Sequence, residues 1–279
     1  MFNDKTNKIY FKLDFIFIFF LTGVPLTEGW KRSIQEIDHS WIAKALFKWS
    51  TRGKPELDPT KVTQMWYHPP QPALVTNNLP AVHRYFSRRL LLWMPRKLWQ
   101  VKLTCPQEDC ETKPELTSAG LYPLVRQVFD LDSFYYLATE YLECSGCKRK
   151  VISWSQGILN QLDAGHRRQF PVILTHKFAV DRRIVRLLRQ RGIGNSSSQL
   201  RRKLVEQHNE VWLERVTQYL TDCESFVRAS NKGLVSRPSF DRPPPCPQLP
   251  NPRVLLSVYC SDVLARLEEV KAAITSTFG

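Results

Sequence analysis

Two short stretches, LTCPQEDCE at residues 103–111 and LECSGCKRK at residues 142–150, decide the fold that the sequence predicts. Each stretch holds a pair of cysteines, with four residues enclosed by the first pair and two by the second. Such short spacings let both thiolates of a pair bind one metal ion, and structural zinc takes four thiolates in a closed tetrahedron at about 2.3 Å. The sequence therefore predicts one structural Zn²⁺ with the ligands Cys105, Cys110, Cys144 and Cys147.

The residues between the two cysteine pairs are rich in the Leu, Val, Phe and Tyr that favour strands. With their flanks they predict a zinc ribbon over residues 98–155. Its expected strands are 98–104, 121–130, 133–143 and 148–153, with a turn at 130–133. Two other interpretations stay open, namely four unrelated thiols or a redox pair at Cys144 and Cys147. The redox interpretation gives the upstream pair no role.

The charge of the chain indicates its partners. The 279 residues carry a formal net charge of +14 and the pI is about 9.6, so part of the folded surface must be strongly positive. Polyanions are the expected partners, with DNA first and RNA or another protein as alternatives. A membrane is not expected, because the basic residues do not gather in one tract beside a long apolar helix. No small-molecule substrate is expected.

The cysteine count and the N-terminal segment bear on localisation. Seven cysteines are an odd number, which favours a reducing compartment over a secreted disulfide scaffold. With DNA as the partner, we expect the nucleus. The apolar run FIFIFFLT at residues 15–22 resembles the core of a signal peptide, but Asp14 beside it and the lack of a small-residue cleavage site argue against one. Secretion or membrane association is the alternative, and residues 1–29 are predicted to lie outside the core.

Residues 30–97 form the next predicted segment, which is partly helical and partly Pro-rich. Apolar residues recur at helical intervals from Trp30 to Trp49, and a short helix ended by Pro95 is predicted over residues 81–93. Between the two helices, the prolines of MWYHPPQP at residues 65–72 exclude helical structure.

A basic helical region is predicted to follow the ribbon at residues 156–230. Its best patterning gives three amphipathic helices, the first beginning near Phe178 and the others spanning 197–208 and 210–221. Glycines 192 and 194 separate the first two helices. Three short helices with a tight glycine-containing turn resemble a helix-turn-helix unit.

Two further segments complete the predicted order, a Pro-rich linker at residues 236–252 and a C-terminal helix at residues 253–279. The predicted fold class is therefore α+β. It consists of a four-cysteine zinc-ribbon β-sheet followed by a basic bundle of helices.

The basic residues of the ribbon and of the helical region are the expected nucleic-acid contacts. From residue 167 to residue 205 the only acid is Asp181, so pairing within that stretch cannot neutralise its arginines. Basic groups directly after the second cysteine pair would offset the negative charge of a zinc tetrathiolate and reach phosphate. The predicted contact residues are Lys148, Arg149, Lys150, Arg182, Arg186, Arg189, Arg191, Arg201, Arg202 and Lys203.

No catalytic residue is expected, and the chain is predicted not to be an enzyme. The sequence contains no Walker A loop, no G-x-S-x-G, no HExxH and no H-x-E followed by P-C-x-x-C. Acids near the predicted ribbon, which are Asp130, Asp132, Glu140 and Glu143, are of a kind that is usually solvated. The alternative is a transposase or nuclease fragment whose active site these motifs do not reveal.

Five phrases of the sequence resemble a known family. They are PPQPALV (69–75), LLLWMPRKLW (90–99), ELTSAGLYPLVRQVFDLDSFYY (115–136), EYLECSGCKRKVISWS (140–155) and FPVILTHKFAVDRRIVRLLRQRGIGNSSSQL (170–200). Over roughly residues 56–230 the chain is similar to the eukaryotic domain of unknown function numbered 6729. Members of that family often resemble the front end of transposase-like proteins, in which a zinc ribbon and a helical segment precede a ribonuclease-H-like catalytic domain. The resemblance implies the zinc-ligand role for the four cysteines. The catalytic acids of such proteins are not expected here, since the chain ends at Phe278-Gly279.

Overall fold

The computed structural model describes residues 23–72, 78–189, 196–230 and 239–278. Its strands are β1 (Phe47–Trp49), β2 (Pro55–Leu57), β3 (Trp66–Tyr67), β4 (Leu90–Trp93), β5 (Thr117–Leu121), β6 (Arg126–Phe129), β7 (Phe134–Glu143), β8 (Lys150–Ile152), β9 (Val172–Leu174) and β10 (Ala179–Asp181). Its helices are α1 (Glu28–Ser33), α2 (Glu36–Leu46), α3 (His83–Phe86), α4 (Pro95–Trp99), α5 (Gln156–Leu159), α6 (Ala164–Arg168), α7 (Arg182–Arg189), α8 (Ser197–Ser230) and α9 (Pro252–Phe278). The α+β class is confirmed.

The fold is built around β7, whose ten residues read FYYLATEYLE. This strand pairs in parallel with β4 on one side and antiparallel with β6 on the other, within the strand order β3-β4-β7-β6-β10-β9. A strand that is covered on both faces has a nearly continuous apolar sequence instead of an alternating one. Every residue from Phe134 to Glu140 is buried, so both faces of β7 are covered there. The strand predicted at 133–143 and the turn before it are confirmed, since the Asp130 N–H donates to the Ser133 carbonyl at 3.0 Å.

The second half of β7 also carries the two strands that flank the cysteine pairs. Thr117 of β5 and Lys150 of β8 both lie opposite Glu143, and both strands run antiparallel to β7. The returning strand predicted at 148–153 is confirmed as β8. The predicted strand 121–130 is divided between β5 and β6, because Pro123 between them has no N–H to donate to a ladder. The ribbon strands thus share β7 with the main sheet.

The strand predicted at 98–104 is wrong. Helix α4 occupies Pro95–Trp99, and Gln100, with a left-handed φ of 53°, ends it. Within the described residues 101–104, Thr104 alone joins a ladder, through an isolated bridge to Glu115. Pro95 begins a helix instead of ending one, since proline at the first helical position lacks an N–H that would have no partner there.

The short helix predicted at 81–93 is wrong in its second half. Only His83–Phe86 is helical, and Leu90–Trp93 forms β4, which lies between β3 and β7. All four residues of β4 are buried, so their apolar run reflects coverage on both faces.

The first predicted helix, Trp30 to Trp49, is divided in the structure. Helices α1 and α2 occupy most of that range, and β1 takes its last three residues. Leu26 is 1% exposed and packs in the same apolar cluster as Trp30, so this residue of the predicted outer segment 1–29 belongs to the core. The apolar run at 15–22 lies outside the described residues.

The predicted three-helix unit is also corrected. Residues 179–181 form β10, which pairs in parallel with β6, so the first helix begins at Arg182 and not near Phe178. The second and third predicted helices are one continuous helix of 34 residues, α8, which contains no Pro or Gly to break it. The segment therefore does not form a helix-turn-helix of three short helices.

The Pro-rich segment is extended over its described part, residues 239–251, and lies along α8. The Trp212 indole N–H donates to the Pro244 carbonyl at 3.0 Å, and the Tyr219 hydroxyl donates to the Asp241 carbonyl at 2.8 Å. The segment is thus docked against the helix and is not a free linker. The predicted C-terminal helix is confirmed as α9. In the described part of the chain, no helix is both long and apolar enough to span a membrane.

Candidate metal centre and arginine pocket

The four predicted ligands come together in one cluster. The sulfur atoms of Cys105, Cys110, Cys144 and Cys147 all lie within 4.8 Å of one another. Two sulfur–sulfur distances, Cys105 to Cys147 and Cys110 to Cys144, are 3.7 Å. That is too long for a disulfide, at about 2.05 Å, and it matches the edge of about 3.8 Å that a tetrahedron has when its metal–sulfur bonds are about 2.3 Å. The cluster can hold a metal ion.

Two tight turns place these thiols. β7 ends at Glu143 and delivers Cys144, and the turn closes through the Lys148 N–H, which donates to the Cys144 carbonyl at 2.9 Å. Lys148 adopts a left-handed φ of 59°, which reverses the chain into β8. The other turn closes through the Cys110 N–H to the Gln107 carbonyl at 3.3 Å. The strand pairing of β5 and β8 with β7 brings both turns to the same end of the sheet.

The cluster holds its thiols in opposite electrostatic environments. A hydrogen bond from the Cys147 backbone N–H to the Cys144 sulfur, at 3.4 Å, lowers the pKa of Cys144 to about 7. Burial raises the pKa of Cys105 to about 12. One thiolate therefore forms readily, whereas the full set of four requires a bound cation to offset the burial of negative charge. A redox pair at 144–147 leaves the two upstream sulfurs in this cluster without a role.

We expect Gly146→Ala to weaken the metal site. A Cβ atom at this position would lie 2.7 Å from the Thr112 hydroxyl oxygen, so Thr112 has to move, and 3.6 Å from the Cys110 sulfur, which places the strain beside a ligand. Overpacking of this kind costs about 1–3 kcal/mol, which corresponds to about a 5- to 150-fold loss of affinity for added Zn²⁺. Competition with a coloured chelator measures it. Gly23→Ala, where a Cβ meets nothing within 4 Å, is the matched control, and equal affinities for the two variants would contradict the expectation.

The basic residues that follow Cys147 lie beside the cluster. Arg149 forms an ion pair of 2.7 Å with Asp109 of the other turn, and Lys150 lies 4.0 Å from Glu143. Lys148 is exposed. The Arg149 pair joins the two cysteine turns at an exposed position, where such pairs contribute about 0–1 kcal/mol.

A second group of basic residues surrounds a concavity of about 290 Å³, called here the arginine pocket. Its walls are Trp66, Arg89, Arg168, Pro171, Asp181, Arg182, Arg183 and Arg186. The guanidinium group of Arg89 lies over the Trp66 ring, 4.6 Å from its centroid. Two of the predicted contacts, Arg182 and Arg186, are in the pocket. Arg89, Arg168 and Trp66 were missed, because they come from distant segments and no spacing in the sequence joins them.

Two buried carboxylates support the arginine pocket. Asp130 accepts hydrogen bonds from Arg89 at 2.7 Å and from Arg183, and Asp181 accepts one from the Tyr135 hydroxyl at 2.9 Å. Burial, and then the neighbouring charge of Asp181, raise the pKa of Asp130, whereas the Leu131 N–H and the two arginines act in the opposite direction. Five arginines line the pocket and two carboxylates lie in or beneath its wall, so arginines outnumber carboxylates there.

Other predicted contacts hold the fold together. Arg189 pairs with Asp262 of α9 at 2.8 Å, and Arg201 donates to the Pro250 carbonyl at 2.8 Å. Asp181 within 167–205 pairs with Arg183, and groups outside the stretch supply further partners, so these arginines are not all left for phosphate. Arg202 and Lys203 are exposed on α8, and Arg191 lies outside the described residues.

The acids that the sequence analysis places near the predicted ribbon are mostly engaged as well. Glu140 is buried and pairs with Lys97 at 3.0 Å. Asp132 is exposed at the turn before β7, where it accepts from the Ser133 hydroxyl at 2.8 Å. In the part of the chain that the structure describes, the four cysteines are the one group of three or more Cys, His, Asp or Glu side chains placed to share a metal ion.

Comparison with known proteins identifies a family. The family model described as Domain of unknown function (DUF6729) matches residues 30–264, which is most of the chain. No curated protein and no solved structure gives a significant match. The family resemblance carried by the five sequence phrases is thus confirmed.

Proposed function

The chain belongs to the DUF6729 family, and we propose that it is a zinc-stapled module that binds nucleic acid, with duplex DNA in the nucleus as its partner. The observation that carries the proposal is the grouping of five arginines from distant segments around the arginine pocket. The proposal assigns the chain no catalytic residue. It includes an origin in a mobile element, which rests on the resemblance to transposase-like proteins alone.

Zinc is the metal that the donor set fits best. Four sulfur ligands at tetrahedral spacing select a soft or borderline ion, and a closed site of this kind is structural. The ion adds folding free energy, because the ligand set forms only in the folded chain. Here it holds the turns that lead into β5 and β8.

The arginine pocket and the cysteine cluster lie near opposite ends of β7. The Tyr135 hydroxyl near the start of the strand reaches Asp181 in the pocket, whereas Cys144 directly follows the last residue. At about 3.3 Å per residue, the nine residues between them span about 30 Å. Zinc therefore supports nucleic-acid binding indirectly, by stabilising the fold. Lys148, beside the cluster, contacts a different part of a long nucleic acid from the part that the arginine pocket binds.

A phosphate backbone fits the pocket for two reasons. Guanidinium groups pair with phosphate oxygens in a bidentate way, and a wall that holds more arginines than carboxylates favours a polyanion. Trp66 supplies an apolar wall that keeps the guanidinium group of Arg89 in place. No base-reading group is assigned, since contacts to phosphate position a protein without specifying a sequence.

We expect Arg186→Gln to weaken duplex binding about three- to tenfold at constant salt, uniformly across sequences. Arg186 is an exposed member of the arginine pocket, so its loss removes about one phosphate contact. The slope of log affinity against log salt should fall in magnitude by about one. Fluorescence anisotropy with a labelled duplex at several salt concentrations measures both effects.

Arg228→Gln is the matched control, because Arg228 is an exposed arginine of α8 that pairs with Glu224 and lies outside the pocket. A salt slope near zero for the wild type, or an unchanged slope for Arg186→Gln, would overturn the proposal. Competition by single-stranded RNA and by heparin identifies the partner. Stronger competition by RNA would identify RNA, and not DNA, as the partner. Equal competition by heparin would show a general affinity for polyanions.

The enzyme alternative has its own test. Incubation of labelled duplex with the purified chain and Mg²⁺ or Mn²⁺ should leave the strands intact under the proposed function. Strand cleavage that survives Arg228→Gln but is lost with Asp130→Asn would instead assign the buried acids beside the arginine pocket to a nuclease site.

A further inference from the structure

A large cavity lies on the other side of the β6–β7 turn from the sheet. Its volume is about 770 Å³, within the range of small-molecule sites. Its walls come from the start of α2, the segment before β4, the turn before β7, the middle of α8 and the extended segment at 244–248. Arg89 lines both this cavity and the arginine pocket, whereas the other residues of the arginine pocket do not line the cavity.

Aromatic side chains form much of the cavity wall. Phe86, Phe134 and Trp212 line it, and the indole N–H of Trp212 is already bonded to the Pro244 carbonyl. This bond fixes the indole ring against the extended segment. A planar apolar group therefore finds rigid aromatic surface on more than one side.

Two neighbouring residues that line the same cavity each hold a buried polar atom without a partner. Arg88 is 8% exposed and Ser87 is 9% exposed. The Nη1 atom of Arg88 and the hydroxyl of Ser87 are buried, and neither has a hydrogen-bond partner. The guanidinium group rests 5.3 Å from the Phe134 ring centroid, so it is held in position without an ion pair. Buried donors of this kind cost about 1–3 kcal/mol each when they stay unpaired, so side-chain rotation toward an acceptor bound in the cavity is favourable.

A second arginine faces the same space. Arg215 of α8 is half-buried and lines the cavity, and it forms no ion pair within the described residues. Burial lowers its pKa, as does the like charge of Arg88, while the exposed Asp132 acts against these two effects. His208 in the same wall has its pKa lowered by burial, so it stays neutral near pH 7. Arg88, Arg89 and Arg215 line the cavity together with two exposed carboxylates, Glu36 and Asp132, so arginines outnumber acids in its wall.

We propose that this cavity binds a small aromatic phosphate ester, of which a mononucleotide is the representative. A phosphate group carries about −1.5 to −2 charges and three acceptor oxygens, which match the guanidinium groups of Arg88 and Arg215 and the hydroxyl of Ser87. The aromatic ring lies against Trp212 and the two phenylalanines. A monocarboxylate would neutralise only one of the two arginines.

Calorimetric titration of the full chain with adenosine 5′-monophosphate tests the proposal. We expect binding that is at least tenfold tighter than that of adenosine or of benzoate. Arg215→Gln should weaken the nucleotide at least tenfold. Since Arg215 is half-buried without an ion pair, this variant is expected to fold, and circular dichroism checks it. Arg202→Gln, an exposed arginine on the same helix and outside the cavity, should leave the affinity unchanged.

The design separates this site from the arginine pocket. Arg186→Gln should weaken duplex binding and leave the nucleotide affinity unchanged. Arg215→Gln should weaken nucleotide binding and leave the duplex affinity unchanged. The proposal is overturned if the nucleotide does not bind at millimolar concentration, if benzoate binds as tightly, or if nucleotide binding responds to Arg186→Gln and not to Arg215→Gln.

Discussion

Replacement of Cys144 by serine should abolish stoichiometric zinc binding and unfold the ribbon end of the sheet. Serine offers a hydroxyl where the cluster needs a thiolate, and Cys144 is the ligand whose pKa lies near 7. Structural zinc supplies about 10–16 kcal/mol of apparent binding free energy in zinc-finger peptides, as much as the whole stability of a typical domain. Loss of one ligand removes most of that contribution.

Three readouts check the Cys144→Ser prediction. Metal analysis should fall from about one zinc per chain to a small fraction of one, amides of β5 and β8 should lose protection from hydrogen exchange, and a chelator added to the wild type should reproduce both changes. Cys260→Ser is the control, because Cys260 is an exposed thiol on α9 outside the cluster. Retention of full zinc content by Cys144→Ser would show that the cluster does not hold the metal.

The second large effect is expected for Trp93→Ala. Trp93 is fully buried at the end of β4, where its indole N–H donates to the Ser153 carbonyl at 3.1 Å and its ring packs 4.9 Å from the ring of Phe170. Removal of a buried indole leaves a cavity and costs about 3–5 kcal/mol of the free energy of unfolding. The buried Ser153 carbonyl also loses the indole N–H as its hydrogen-bond donor.

Denaturant unfolding, followed by circular dichroism, measures this loss. Leu220→Ala serves as the control, because the Leu220 side chain is 54% exposed on α8 and its truncation should cost less than about 0.5 kcal/mol. A loss below 1 kcal/mol for Trp93→Ala would contradict the position of Leu90–Trp93 as a buried central strand.

The features that the sequence predicts well are those with local signals. The cysteine spacings fix which thiols can meet, and β7 is a long β-favouring run preceded by a turn at Asp130. The helix α9 was likewise predicted from its periodicity. Each of these depends on residues that are neighbours along the chain.

The features that were missed depend on distant segments. β4 is only four residues long, and a short apolar run does not distinguish a buried strand from a helix until its partner, β7, is known. The arginines of 167–205 appeared uncompensated because Asp130 and Asp262 lie outside that stretch. The arginine pocket was missed for the same reason, since its walls come from four separate parts of the chain.

X-ray absorption at the zinc edge of the purified chain tests the central claim most directly, which is that four thiolates from two distant turns bind one ion. The account predicts one zinc per chain with four sulfur neighbours at about 2.3 Å and no nitrogen or oxygen neighbour. A chain without zinc, or a zinc with fewer than four sulfur ligands, would contradict it.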